Sequence, residues 1–168
     1  MKKRVLVIAL TVAILLILSF PVTLVEAAQS GTVGCTVTAK MISVALSGSS
    51  IDYGSVAVGG TKDTIALGKT QTVTNDGNTT ERFYIRSSDA THSGGTDWTL
   101  ASTVGANQYT HKFKVGSDDW AALTANPIGL ALGVTAGSNV QFDLQIGMPT
   151  TVTDIAQHNI TVTITASE

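Results

Sequence analysis

The chain has 168 residues, with 10 Lys and Arg against 12 Asp and Glu, a formal net charge of −2, and only 5% aromatic residues. Beyond the first four residues no Lys/Arg cluster occurs, which removes the electrostatic footprint of a nucleic-acid binder and of a polybasic membrane-surface patch. A single cysteine, Cys35, excludes an internal disulfide, so a hydrophobic core must hold the fold together.

The N-terminus reads as an export signal. Lys2, Lys3 and Arg4 form a positive start, and an apolar run from Val5 to Leu18 follows. Val25-Glu26-Ala27 then offers small residues at the first and third positions, as signal peptidase requires. Cleavage is expected between Ala27 and Ala28, so that residues 1–27 are the signal peptide and the membrane is met only through it. The alternative is a retained anchor, because Val5 to Val25 is about 21 residues, enough to cross roughly 30 Å of hydrocarbon as a helix. Pro21 and the processing site favour cleavage. Removal takes three basic residues and one acidic one, leaving seven against eleven and a net charge of about −4. Residues 28–168 are then one domain of ordinary size.

The remaining chain reads as strands. Thr36 to Leu46 is apolar and β-branched, with an in/out phase that shifts between Met41 and Ile42. Ile51 to Val58, Thr70 to Thr74 and Trp98 to Ser102 are expected to be shorter strands. Phe83 and Ile85 alternate with Arg82, Tyr84 and Arg86. Tyr109, His111, Phe113 and Val115 share a face opposite Thr110, Lys112 and Lys114. Ala121 to Leu132 is the one stretch in which a helical turn is expected, kept short by Pro127 and the neighbouring glycines. From Asn139 to Met148, Val140, Phe142, Leu144, Ile146 and Met148 point inward, and Gln141, Asp143 and Gln145 outward. Ile160, Val162, Ile164 and Ala166 alternate with threonines at the end. About 23 threonines after residue 27 suit exposed strand faces. One buried and one wet face per strand predicts an all-β fold, an antiparallel Ig-like β-sandwich preceded by a signal peptide.

Ile51-Asp52-Tyr53-Gly54-Ser55-Val56-Ala57-Val58-Gly59, followed by Thr70-Gln71-Thr72-Val73-Thr74-Asn75-Asp76-Gly77-Asn78, resembles the Ig-like repeats of the ASPM–SPD-2–Hydin type found in prokaryotic surface proteins. The resemblance covers about residues 51–78 and implies an Ig-like unit in which the Asn-Asp-Gly turn sets the register of a hairpin. Val134 to Gly137, running into the next strand, echoes it. The general plan is also similar to camelysin/TasA-like secreted sandwiches.

Chemistry-bearing residues are sparse. His92, His111 and His158 lack metal-ligand spacing, and His111, between Tyr109 and Phe113, reads as a hydrogen-bonded core or cleft histidine. No nucleophile elbow occurs, and Ser47-Gly48-Ser49-Ser50 reads as a turn. Cys35 has no activating neighbour and stands too far from the apolar run for a lipobox. Asp89, Asp97, Asp118 and Asp119 sit on loops as hard oxygen donors, but match no defined calcium loop. Asn78 and Asn159 begin glycosylation sequons. No cofactor, metal or catalytic residue is therefore assigned, and the chain reads as a non-enzyme. Trp98, Tyr109 and Trp120 are the candidates for stacking against a sugar ring, with core anchoring as the competing reading.

The expected function follows from these absences and from the two ends. The last strand runs almost to Glu168 without a sorting motif or apolar tail. Ala28 to Leu46 can add to the open edge of a neighbouring sandwich. The leading expectation is an exported cell-surface structural or interaction protein, a filament subunit assembling by strand addition, with other copies or other surface proteins as partners. The alternative is a secreted ligand-binding module, most plausibly for glycans, using the surface aromatics.

Overall fold

The computed structural model describes residues 30–48 and 50–168, so the reading of residues 1–27 as a signal peptide and of a cut at Ala27-Ala28 lies outside the described residues. The chain divides into two units, residues 1–37 and 38–168. Within the first, residues 30–37 have no regular secondary structure and are exposed.

The second unit is all-β, built of ten strands in two sheets. The larger sheet contains β1 (Val44–Leu46), β2 (Thr61–Asp63), β3 (Gln71–Asn75), β5 (Thr99–Leu100), β6 (Gln108–Val115), β7 (Ala121–Ala122) and β9 (Asn139–Gly147). The smaller contains β4 (Glu81–Ser87), β8 (Ile128–Val134) and β10 (Val162–Ser167), in the order β10-β4-β8. The long strand β9 organises the larger sheet. One of its edges pairs with β6, from Thr110 opposite Gly147 to Val115 opposite Phe142. The other is shared by β2 and β3, which lie end to end along it. Thus residues 61–75 are one strand interrupted by the excursion 64–70. Every ladder is antiparallel except the short pairing of β5 with β6.

The period-two faces meet between the sheets, because burying both apolar faces removes the most surface from water. The main core contains Val73, Phe83, Ile85, Phe113, Leu123, Leu130, Val134, Phe142 and Leu144. A second cluster lies at one end, with Ala90, Trp98, Tyr109 and Ile146 buried and Tyr53, Leu100, Met148, Val152 and Ile160 packed around them.

Several local expectations are corrected. Ile51 to Val58 is not a strand: Asp52 Oδ1 accepts the Gly54 N–H at 2.7 Å, and Gly54 has φ 62°, which turns the chain. Of Thr36 to Leu46, only the last three residues are in a ladder. Ala121 to Leu132 contains no helical turn; it supplies β7 and most of β8. Asp143, expected to face water, is buried on the outer face of the large sheet under the 64–70 excursion, where the Thr64 and Thr70 hydroxyls donate to its Oδ1 at 2.8 and 2.7 Å.

The Asn-Asp-Gly turn does not close a hairpin. It carries the chain from β3 in one sheet to β4 in the other. Asn75 makes the crossing: its Oδ1 accepts the Gly77 N–H at 2.9 Å, and its Nδ2 donates to the Thr79 and Val134 carbonyls. A fully buried side-chain amide with all these partners holds the corner without needing a ladder.

Candidate functional site

A cleft of about 890 Å³ opens in the second unit. Residues 50–56 form one wall and residues 155–160 another, with Phe142, Leu144 and Ile146 of β9, His111 of β6 and Val162 of β10 below them. The cleft exists because the chain after β1 leaves the ladder at Ser47 and wanders over the gap between the sheets instead of filling it. Of the apolar residues lining the cleft, Ile51 and Val162 are only partly buried.

His111 lies at the floor. It is 2% exposed and aligned by hydroxyls on both sides: Ser87 Oγ of β4 is 2.8 Å from Nδ1, and Tyr53 Oη is 3.3 Å from Nε2. Burial pushes its pKa down to about 4, so the ring is neutral at pH 7, with one nitrogen donating and the other accepting. Burial also raises the Tyr53 phenol, aided by the negative charge of Asp63, and raises Tyr109 to about 12. The Tyr109 hydroxyl donates to the Ser88 carbonyl. A serine, a histidine and a tyrosine therefore converge, but none of the three is an activated nucleophile. Ser87 is 3% exposed, and the contacts to the imidazole are two hydroxyls with no carboxylate to orient it. The arrangement satisfies buried polar groups.

The aromatic candidates separate. Trp98 and Tyr109 are buried, at 6% and 0% exposure, and belong to the second core cluster; their rings are anchors and do not form a stacking platform. Trp120 is half-buried, with Lys114 Nζ 5.2 Å from its ring centroid. The three are not brought together as one surface.

Proximity that the sequence did not reveal lies at the rim, where His158 stacks on Trp98 with ring centroids 3.8 Å apart and planes 19° apart. His92 stands beside them, its ring 5.6 Å from that of His158 and its Nε2 3.7 Å from Asp154 Oδ2. The 66-residue separation of the two histidines, and their position on different loops, left no spacing signal. Among the described residues no group of three or more His, Cys, Asp or Glu side chains is placed to hold a metal ion. Asp89 and Asp97 are engaged by backbone N–H groups, of Leu100 and His92 respectively. Asn78, one of the sequon asparagines, is a clamp: it accepts the Met41 N–H at 2.8 Å and donates to the Ala39 carbonyl at 2.7 Å. Cys35 is a free, exposed thiol.

The class of protein that this fold and site define is an all-β sandwich with an open flank and a buried polar floor. No family model, characterised protein or solved structure matches the chain.

Proposed function

We propose that this chain is a non-enzymatic, exported structural protein of the cell surface, and that it assembles into filaments by adding its N-terminal segment as a strand to the next copy. The observation that carries the reading is the pairing of an unsatisfied strand with an unsatisfied edge. From residue 33 to residue 41 the odd positions are Val33, Cys35, Val37, Ala39 and Met41, and the even ones Gly34, Thr36, Thr38 and Lys40. This is period-two amphipathicity, yet Val33 is 88% exposed, Val37 96% and Met41 53%, and no described residue from 30 to 43 belongs to a ladder. A strand pattern with its apolar face in water is unstable by itself and is relieved by a partner.

The matching edge is β10. Among the described residues it is hydrogen-bonded on one side only, to β4, and its inward residues Val162, Ile164 and Ala166 are partly buried, with Val162 lining the cleft. An incoming strand would continue the small sheet main chain to main chain and place its alternate side chains over this gap. Such a contact joins different surfaces of successive copies and so propagates without closing.

Electron microscopy of the concentrated full chain, with light scattering on the same sample, tests this. Regular filaments are expected, and a chain lacking residues 30–38 is expected to fold and stay monomeric. The deletion stops short of Ala39 because residues 39–43 are clamped by Asn78 and by Glu81, whose Oε1 accepts the Ser43 N–H at 2.9 Å. A full chain that stays monomeric at high concentration, or a shortened chain that still polymerises, overturns the proposal.

A further inference from the structure

The loops 90–98 and 151–160 are joined by the paired main-chain hydrogen bonds of Thr91 and Asn159, by Asp154, which accepts the Thr96 N–H, and by His158. Its Nδ1 lies 2.8 Å from the Ala156 carbonyl oxygen and its Nε2 2.9 Å from the Thr96 carbonyl oxygen. Both partners can only accept. A neutral imidazole has one N–H, so it satisfies one carbonyl and turns a lone pair toward the other; only the imidazolium donates to both. The face of the ring lies on the Trp98 indole at 3.8 Å, an arrangement that attracts a cation.

The surrounding charges agree with this assignment. Asp154 is held ionised below the usual carboxylate range, chiefly by the Ala156 N–H, with help from His92, the Thr96 N–H and His158. From the 90–98 loop the titratable groups are His92, 3.7 Å from Asp154, and Asp97, which accepts the His92 N–H. Across the cleft stand Asp52 and Tyr53, and no Lys or Arg lines the cleft. The packing is close: a methyl group on Gly95 would collide with the Asp154 carboxylate and the His92 ring.

We propose that His158 is a proton-operated clasp that fastens residues 155–158 to Thr96, beyond the fixed Thr91–Asn159 bridge, and so sets the opening of the cleft at its rim. Protonated, the ring bridges the two carbonyls, rests on Trp98 and holds residues 155–158 as the outer part of the cleft wall. On losing a proton it turns a lone pair toward one carbonyl oxygen, and residues 155–158 are loosened while the Thr91–Asn159 bridge stays closed. The proposal stands on these two loops alone and does not require strand exchange.

Amide hydrogen exchange of the full chain at pH 5 and pH 8, expressed as protection factors, tests it. Protection of residues 155–158 is expected to be at least about tenfold higher at pH 5, the factor that one charge-assisted hydrogen bond supplies. Strand β6 is expected to change little. In a Trp120→Phe chain, where Trp98 is the only indole, fluorescence is expected to be quenched at pH 5, because a stacked imidazolium accepts the excited electron. His158→Gln is expected to abolish both effects. Equal protection at the two pH values, or the same contrast in His158→Gln, overturns the clasp. Should His158→Gln fail to fold, the ring ¹⁵N shifts of His158 in the unaltered chain decide. Two protonated nitrogens at pH 5, accompanied by loop protection, support the clasp, and a ring neutral at pH 5 overturns it.

Discussion

Ser87 Oγ and His111 Nδ1 meet at 2.8 Å although they belong to different sheets, β4 and β6, and both are almost fully buried. With Tyr53 on the other nitrogen, this contact joins the two layers and the cleft wall at a single polar point. Burial sets its price in protons: the folded protein disfavours charge on His111, whereas the unfolded chain accepts it.

The first prediction concerns pH. The His111 pKa is lowered to about 4, below its unfolded value, so its contribution is fully present above about pH 6.5 and is lost as pH falls toward about 4. Urea denaturation is expected to show about 2–3 kcal/mol less stability at pH 4.5 than at pH 7 from this group. His111→Gln is expected to be less stable at pH 7 and to have a flatter acid limb. An unchanged acid limb in His111→Gln would remove His111 from the account.

The second concerns Asp143 and the excursion that covers it. Its Oδ1 accepts from both Thr64 and Thr70, and Thr64 Oγ1 in turn accepts the Leu144 N–H at 2.9 Å. Asp143→Ala strands the buried Thr64 hydroxyl and loses the contact with the exposed Thr70, and is expected to cost about 2–3 kcal/mol. Limited proteolysis is expected to become faster within 64–70 and to leave β6 protected.

The two tryptophans are expected to respond in opposite ways. Trp98→Ala opens a cavity in the second core cluster and is expected to cost about 3–5 kcal/mol in thermal or urea unfolding. Trp120→Ala removes a half-buried ring and a cation contact and is expected to cost about 1 kcal/mol or less. A glycan array on the same two proteins checks the alternative reading: loss of a bound sugar on Trp120→Ala, with the fold intact, would favour a binding module.

Cys35 gives an internal reporter of assembly. Its thiol is exposed in the single chain and shares the apolar face of residues 33–41. Alkylation is expected to be rapid and complete in dispersed chains and strongly slowed in filaments. A Val37→Asp substitution on the same face is expected to prevent assembly while leaving the melting temperature of the monomer unchanged. Equal thiol reactivity in the two states would exclude this face from the contact.

What the residues determine locally is legible in the sequence. The inward row Tyr109, His111, Phe113 and Val115, the alternation through β9 and the terminal strand all follow from the fixed two-residue period of a strand, which needs no knowledge of partners. The same period pointed to a β-sandwich and to His111 as a core or cleft histidine. Which strands pair is a different matter, since it depends on segments far apart in the chain. Asn75-Asp76-Gly77 was legible as a turn but not as a corner between sheets, because the carbonyl of Val134 that receives the Asn75 amide is 59 residues away. Asp143 carries an outward-facing pattern and is nevertheless buried, because the loop between β2 and β3 folds back over it. His158 and Trp98 carry no common motif, and only the packing of two loops lays one ring on the other. The sequence by itself determined the layers, through a periodicity written into every strand. The tertiary structure alone decided the edges, the cleft and the clasp, because these arise from hydrogen bonds and contacts between residues with no local relation.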